Sequence, residues 1–297
     1  MTTILLTGKT GQVGWELQRA LAPLGKLIAF SRGEMDHTNP DSIRSAIRNA
    51  KPDVIVNAAG YTTVDKAEGE ADLAARVNAV APGIIAEEAK RMGAALVHYS
   101  TDYVYDGRLP RPYTEDDAPN PVNTYGKSKL AGEQAIQAAG GAHLILRTSW
   151  IYSERGSNFV LAIRRLAREK QVLSVVSDQV GSPSWARSLA EATAALLRKQ
   201  DRIRAHAGIY HLSAAGYTSR YDFAVAIVRI LKEISGIADG WAELVPVTTD
   251  QYPPLPASRP LNPATDKSRI KRVFDVEMPG WEPQLRSFLL ELGKKGF

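Results

Sequence analysis

The sequence contains no cysteine, which excludes disulfides, thiolate nucleophiles and zinc–thiolate sites. No apolar run approaches the roughly 20 residues of a membrane-spanning helix. The opening Met1-Thr2-Thr3-Ile4-Leu5-Leu6 lacks the basic region and cleavage pattern of a signal peptide, so a cytoplasmic address is expected. Histidines are few, and His37, His98, His143, His206 and His211 show no metal-ligand spacing; His98 and His211 fall in apolar strand-like runs and read as core or strand-end residues. Long lysine and arginine blocks are missing as well. The formal charge of +5 is spread along the chain, which suits an anionic ligand but leaves no nucleic-acid footprint. Neither nucleic acid nor membrane is expected as a partner.

What is present is the composition of a globular protein, 44% hydrophobic and 23% charged over 297 residues, enough for one large domain or two modest ones. Short apolar runs at Ile4 to Leu6, Leu27 to Phe30, Val54 to Asn57, Leu96 to Tyr99 and Leu144 to Arg147 alternate with amphipathic stretches at Glu16 to Leu24, Asp41 to Asn49, Asp72 to Met92 and Lys127 to Ala139. This rhythm predicts an α/β fold with a doubly wound parallel sheet covered on both faces. After Trp150 the rhythm loosens: helices are expected at Asn158 to Lys170, Ser188 to Lys199, Tyr221 to Glu233 and Gln284 to Leu292, with strands at Val172 to Val176 and Ile209 to Leu212. The expected division is a dinucleotide-binding half, 1–150, and a smaller mixed α/β part, 151–297, that is mainly substrate-binding and returns some segments to the first half. The stretch from Asp106 to Thr124 carries four prolines without periodicity, and so long a loop in a compact fold points to function.

Thr7-Gly8-Lys9-Thr10-Gly11-Gln12-Val13-Gly14 lies between the first strand and the first helix. Glycines there permit a tight turn and let backbone N–H groups and a helix N-terminus approach a diphosphate. The spacing is Gly-x-x-Gly-x-x-Gly, and no Gly-Lys-Thr ends it as in a P-loop. At the end of the second strand, where an acidic side chain would read the ribose 2′-hydroxyl of NAD, the chain has Ser31-Arg32. A hydroxyl and a guanidinium suit a 2′-phosphate, so NADPH is expected, with NADH as the alternative.

Tyr125-Gly126-Lys127-Ser128-Lys129 reads as a helix start capped by Asn123 or Thr124. Helical spacing places Tyr125 and Lys129 on one face, where an ammonium beside a phenol lowers its pKa towards the working range. Such a pair can exchange a proton with a carbonyl or alcohol.

With the glycine turn, Asn57-Ala58-Ala59-Gly60, Ser100-Thr101-Asp102 and Tyr125-x-x-x-Lys129 in that order, the chain resembles the extended short-chain dehydrogenase/reductases. Val64-Asp65-Lys66-Ala67-Glu68, His98 to Tyr105, Arg147-Thr148-Ser149-Trp150, Asn158-Phe159, Asp178-Gln179-x-Gly181-x-Pro183 and Ser258-Arg259-Pro260 extend the resemblance to the dTDP-4-dehydrorhamnose reductase family, nearly end to end. The resemblance implies reduction of a C4 ketone on a dTDP-sugar, with Thr101 hydrogen-bonding the reacting oxygen, Tyr125 as proton donor, and Lys129 holding the nicotinamide ribose and depressing the tyrosine pKa. It places Gly8, Gly11, Gln12, Val13, Gly14, Asp36, His37, Gly60, Tyr61, Thr62 and Tyr99 against the cofactor, and Asp102, Trp150 and Arg259 against the substrate.

Some family members bridge a homodimer through a metal held by acidic side chains. Glu16 matches one of those positions, whereas Arg187 replaces another, which leaves magnesium and the homodimer open. Epimerases and dehydratases of the same superfamily would share the first 150 residues; dehydratases follow the threonine with Asp-Glu, and Thr101-Asp102-Tyr103 argues against dehydration. A regulatory binding protein of the same fold is the rival from another class, and retention of Thr101, Tyr125 and Lys129 together favours catalysis.

Overall fold

The alternating apolar runs pair into a six-stranded parallel sheet in the computed structural model, which describes residues 1–294. Strands β1 (Thr3–Thr7), β2 (Lys26–Phe30), β3 (Val54–Asn57), β4 (Ala95–Thr101) and β5 (His143–Thr148) fall where the periodicity predicts them. The order across the sheet is β2-β1-β3-β4-β5, and Gly208–His211 adds the sixth strand beside β5. The sheet is buried on both faces, and strand alternation sorts its side chains cleanly. Leu5, Ile55, Leu96 and Ile145 meet Ile43, Ile47, Ile85 and Ile136 on one face. Leu6, Val56, Val97 and Leu146 meet Leu17, Leu21 and Leu189 on the other. Helices 186–197 and 268–274 lie with this second core.

Between β1 and β3 the winding reverses: the chain leaves β1 for one edge and crosses back to the other side. The carboxyl ends of these two strands form the crevice where nucleotide ligands sit in open α/β sheets.

The helix expected over 72–92 is three pieces, Ala71–Ala75, a π-helical turn at Arg76–Val80, and Ala81–Met92. Pro82 has no N–H to give the Asn78 carbonyl, and the turn widens where Gly132 packs against that carbonyl. A Cβ on Gly132 would come within 2.0 Å of it. The remaining helices and the strand Val172–Val176 stand at the expected places with ends displaced by a few residues.

Unforeseen are the helices Val64–Ala67, Gln200–Ala205 and Ser268–Phe274, the strand Glu243–Val247 beside Val172–Val176, and two-residue pairings such as Ile151–Tyr152 with Ser184–Trp185. Elements this short show no measurable period. A separate apolar core beyond the sheet gathers Tyr152, Phe223, Ile227 and Phe288. Among the described residues, no helix is long and apolar enough to cross a membrane.

Candidate active site

The glycine turn stands at the switch point. Gly8 adopts φ +75°, and a Cβ there would lie 2.8 Å from the Ala59 amide nitrogen. Gly14 approaches so closely that a Cβ would fall 2.0 Å from the Gly8 carbonyl oxygen, which seats the first helix directly on the turn. The Thr7 hydroxyl donates to Asn57 Oδ1 at 2.6 Å, locking the ends of β1 and β3 together. Val13 is buried in the core, so it offers only backbone to a ligand. Gln12 Oε1 accepts from Ser153 and Asn158 at 3.2 and 3.1 Å, joining the turn to the later part of the chain. The side-chain-free cradle in front of a helix N-terminus fits a dinucleotide diphosphate.

At the end of β2, the Ser31 N–H and hydroxyl both donate to Glu34, whose carboxylate also pairs with Lys9. Arg32 is exposed beside them. Asp36 is occupied locally, accepting from the Thr38 N–H and hydroxyl at 2.9 Å each. His37 is buried with neither ring nitrogen hydrogen-bonded, and burial lowers its pKa to about 4. Tyr61 is held by a reciprocal amide bond: its N–H donates to Asn78 Oδ1 and its carbonyl accepts from Asn78 Nδ2, which fixes the Gly60 to Thr62 segment beside the cleft.

The Tyr125 helix spans Thr124–Ala139 and is capped by Asn123, whose side chain accepts from the Gly126 N–H at 2.8 Å. A Cβ on Gly126 would lie 2.2 Å from the Tyr103 carbonyl oxygen, so this helix start presses against the turn that follows β4. Tyr125 faces the cleft together with Thr101, Asp102, Thr62, Gln12 and Trp150, around a cavity of about 270 Å³. Burial pushes the Tyr125 phenol above its usual pKa, against the opposing pull of Thr101.

That corrects the expected coupling. Lys129 is buried, and its ammonium donates to the Tyr99 carbonyl at 2.6 Å and lies 3.1 Å from His98 Nε2. Burial lowers the Lys129 pKa to about 8, with Glu133 opposing. The phenol pKa thus stands above its usual value, where the lysine was expected to lower it. The Tyr99 carbonyl holds Lys129, while its ring sits in the core with its hydroxyl on Thr193.

Asp102 accepts from the Ser149 hydroxyl at 2.6 Å and from Thr101 at 3.2 Å, and burial raises its pKa to about 6. Trp150 holds φ +44°, and its indole fills the space in front of Gly181, where a Cβ would lie 2.4 Å from the ring. The Arg220 guanidinium stacks 4.1 Å over Trp150 and bonds Gln179 at 3.0 Å. Arg259 pairs with Asp65 at 2.8 Å and lines a second, mostly apolar cavity of about 460 Å³ with Phe159, Leu166, Val175, Arg220 and Tyr252. Arg220 lines both cavities and escaped the sequence reading, because an arginine opening a helix after a serine cap carries no local signal. Glu34 was missed although it lies three residues beyond Ser31.

Magnesium, left open by the sequence, does not fit the side chains present. Glu16 is paired with Arg19 at 3.0 Å and with Arg187 at 3.4 Å, and Arg187 also pairs with Glu291 at 2.5 Å. A guanidinium already occupies the place a divalent cation would need. Among the described residues, no group of three acidic, histidine or cysteine side chains converges elsewhere.

The parallel sheet, the glycine turn at its switch point and the tyrosine/lysine helix beside β4 define a reductase-type nucleotide-binding protein of the extended short-chain dehydrogenase/reductase class. A Thermus thermophilus UDP-glucose 4-epimerase structure, 18% identical, shares the fold with TM-score 0.79 over 99% of this chain and 100% of its own. Residues 1–293 match the family model described as "RmlD substrate binding domain". The chain is 46% identical over 293 residues to the dTDP-4-dehydrorhamnose reductase of Salmonella typhimurium, covering 97% of each chain. It is 45% identical over 283 residues to that of Burkholderia thailandensis, covering 94% of this chain and 95% of the relative. A Bacillus anthracis dTDP-4-dehydrorhamnose reductase structure in complex with NADP, 34% identical, superposes with TM-score 0.87 over 98% of this chain and 99% of its own. The chain belongs to the dTDP-4-dehydrorhamnose reductase family.

Proposed function

We propose that this protein reduces the C4 ketone of dTDP-4-dehydro-L-rhamnose to dTDP-L-rhamnose with NADPH or NADH in the cytoplasm, with Tyr125 as the proton donor. The observation that carries this reading is that the Thr101 and Tyr125 hydroxyls, Trp150 and Arg220 share one cavity between the glycine turn and the apolar cavity of the later chain. Relatives of the same name and a relative with NADP bound support it.

A bound reduced nicotinamide supplies the hydride for the ketone carbon. Gly8, Gly11 and Gly14 leave room for the diphosphate, with Gly60 to Thr62 alongside. Thr101 and Tyr125 hydrogen-bond the reacting oxygen, and Tyr125 gives its proton to the alkoxide as it forms. Because burial keeps the phenol protonated, the acid is ready in the direction of reduction. Lys129 supplies positive charge beneath the reacting region and a donor for a ribose hydroxyl. Asp102 and Trp150 line the sugar; Arg220 and Arg259 suit the diphosphate of the sugar nucleotide, since a planar guanidinium reads phosphate oxygens in pairs. The first half of the chain thus serves the dinucleotide and the second mainly the sugar nucleotide.

The direct test follows loss of reduced-nicotinamide absorbance with purified protein and enzymatically generated dTDP-4-dehydro-L-rhamnose, with product identified by mass and sugar analysis. Formation of dTDP-L-rhamnose supports the reading. Bound cofactor without oxidation refutes this substrate assignment and turns the search to another nucleotide sugar.

A further inference from the structure

Two opposite devices for reading a ribose meet at the tip of β2. Lys9, from the glycine turn, and Ser31, from the strand end, are joined through the backbone, since the Lys9 N–H donates to the Phe30 carbonyl at 3.1 Å. Both direct donors at one carboxylate. One Glu34 oxygen accepts the Ser31 N–H at 2.7 Å and the Ser31 hydroxyl at 2.6 Å, and the Lys9 ammonium lies 2.7 and 2.9 Å from the two oxygens. A carboxylate held by a lysine, a hydroxyl and a backbone N–H occupies the kind of donor set a phosphate monoester would use. Arg32 adds an exposed cation at the same end. In this fold, the end of the second strand meets the 2′ position of the adenosine ribose.

A carboxylate at the end of this strand is also the kind of group that accepts a free ribose 2′-hydroxyl. Lys9 and Ser31 hold the Glu34 carboxyl at a pKa of about 2, so it stays ionised throughout the working range. Its side chain is 46% exposed, which lets it swing into solvent.

We propose that Glu34 selects the cofactor: NADH binds with Glu34 in place as acceptor for the 2′-hydroxyl, whereas NADPH binds by displacing Glu34 from Lys9 and Ser31 with its 2′-phosphate. The inference rests on the dinucleotide reading above. It puts the balance between the two cofactors on one partly exposed ion pair. Removing the charge of Glu34 frees the donors for phosphate and removes like-charge repulsion.

The test titrates full-length wild type, Glu34→Gln and Lys9→Met with NADPH and with NADH at one ionic strength, reading nicotinamide fluorescence without sugar nucleotide. Glu34→Gln is expected to tighten NADPH about five- to tenfold and to weaken NADH, as expected for an exposed charge interaction. Lys9→Met is expected to weaken NADPH by a similar factor and NADH less. A Glu34→Gln variant with wild-type melting behaviour whose two affinities are unchanged, or move together, overturns the proposal. Failure of the folded wild type to bind either cofactor overturns the dinucleotide reading instead.

Discussion

The Lys129 ammonium donates to the Tyr99 carbonyl at 2.6 Å, so the lysine one turn beyond Tyr125 is anchored to β4 and not to the phenol. In the proposed mechanism lysine and tyrosine therefore divide the work: one contributes a buried cation, the other a proton.

Replacing Tyr125 with phenylalanine should remove the proton donor while leaving the fold and the cofactor cradle in place. Turnover is expected to fall by about two to four orders of magnitude. Fluorescence titration should show cofactor affinity close to wild type, and near-normal turnover would take Tyr125 out of the mechanism.

The pH profile should report Lys129. Its pKa of about 8 lies below the usual lysine value because burial disfavours the charged form, so its positive charge is present below pH 8 and lost above it. The rate is expected to fall as pH rises through about 8. A Lys129→Met variant should be slower throughout and lack that limb; retention of the limb would assign it to another group.

Arg220 should act on binding of the sugar nucleotide. Arg220→Met is expected to raise KM about tenfold or more with a smaller change in kcat, because it removes a charge-assisted contact where the two cavities join. Arg220→Lys should recover little of it, since an ammonium cannot reproduce the flat stack on Trp150 and the bond to Gln179. Steady-state kinetics of the pair decides this, and an unchanged KM in Arg220→Met rejects the role.

Beneath the site, Arg147 and Glu133 form a fully buried ion pair at 2.5 Å that also engages Ser100 and Tyr105. Removing one partner strands the other charge in the core. Arg147→Met or Glu133→Gln alone should cost about 3–5 kcal/mol of unfolding free energy, and the double variant less than the two costs added. Urea unfolding measures it. Additive losses would mean that the two residues contribute independently.

The five strands and the longer helices between them in the first 150 residues were legible because each buried strand is a short apolar run and the longer helices carry an apolar stripe. The glycine turn was legible because only glycine tolerates the φ of Gly8 and the contact at Gly14. Asn123 could be read as a cap since its acceptor reaches an amide three residues away. The π-helical turn at Arg76–Val80 was not read from Pro82 alone, since Gly132 also packs against it from a helix more than 50 residues away.

The sequence by itself determined the class of fold, the glycine turn and the placement of Tyr125 and Lys129 on one helix, because those features rest on contacts within a few residues or on the period of one element. Only the tertiary structure decided which partner each charge takes: Lys129 with Tyr99, Arg220 with Trp150 and Gln179, Arg187 with Glu16, and Arg259 with Asp65. Long charged side chains choose among whatever groups converging elements bring within reach. In these pairs the partners lie between 30 and 194 residues apart in the chain, beyond anything that local spacing encodes.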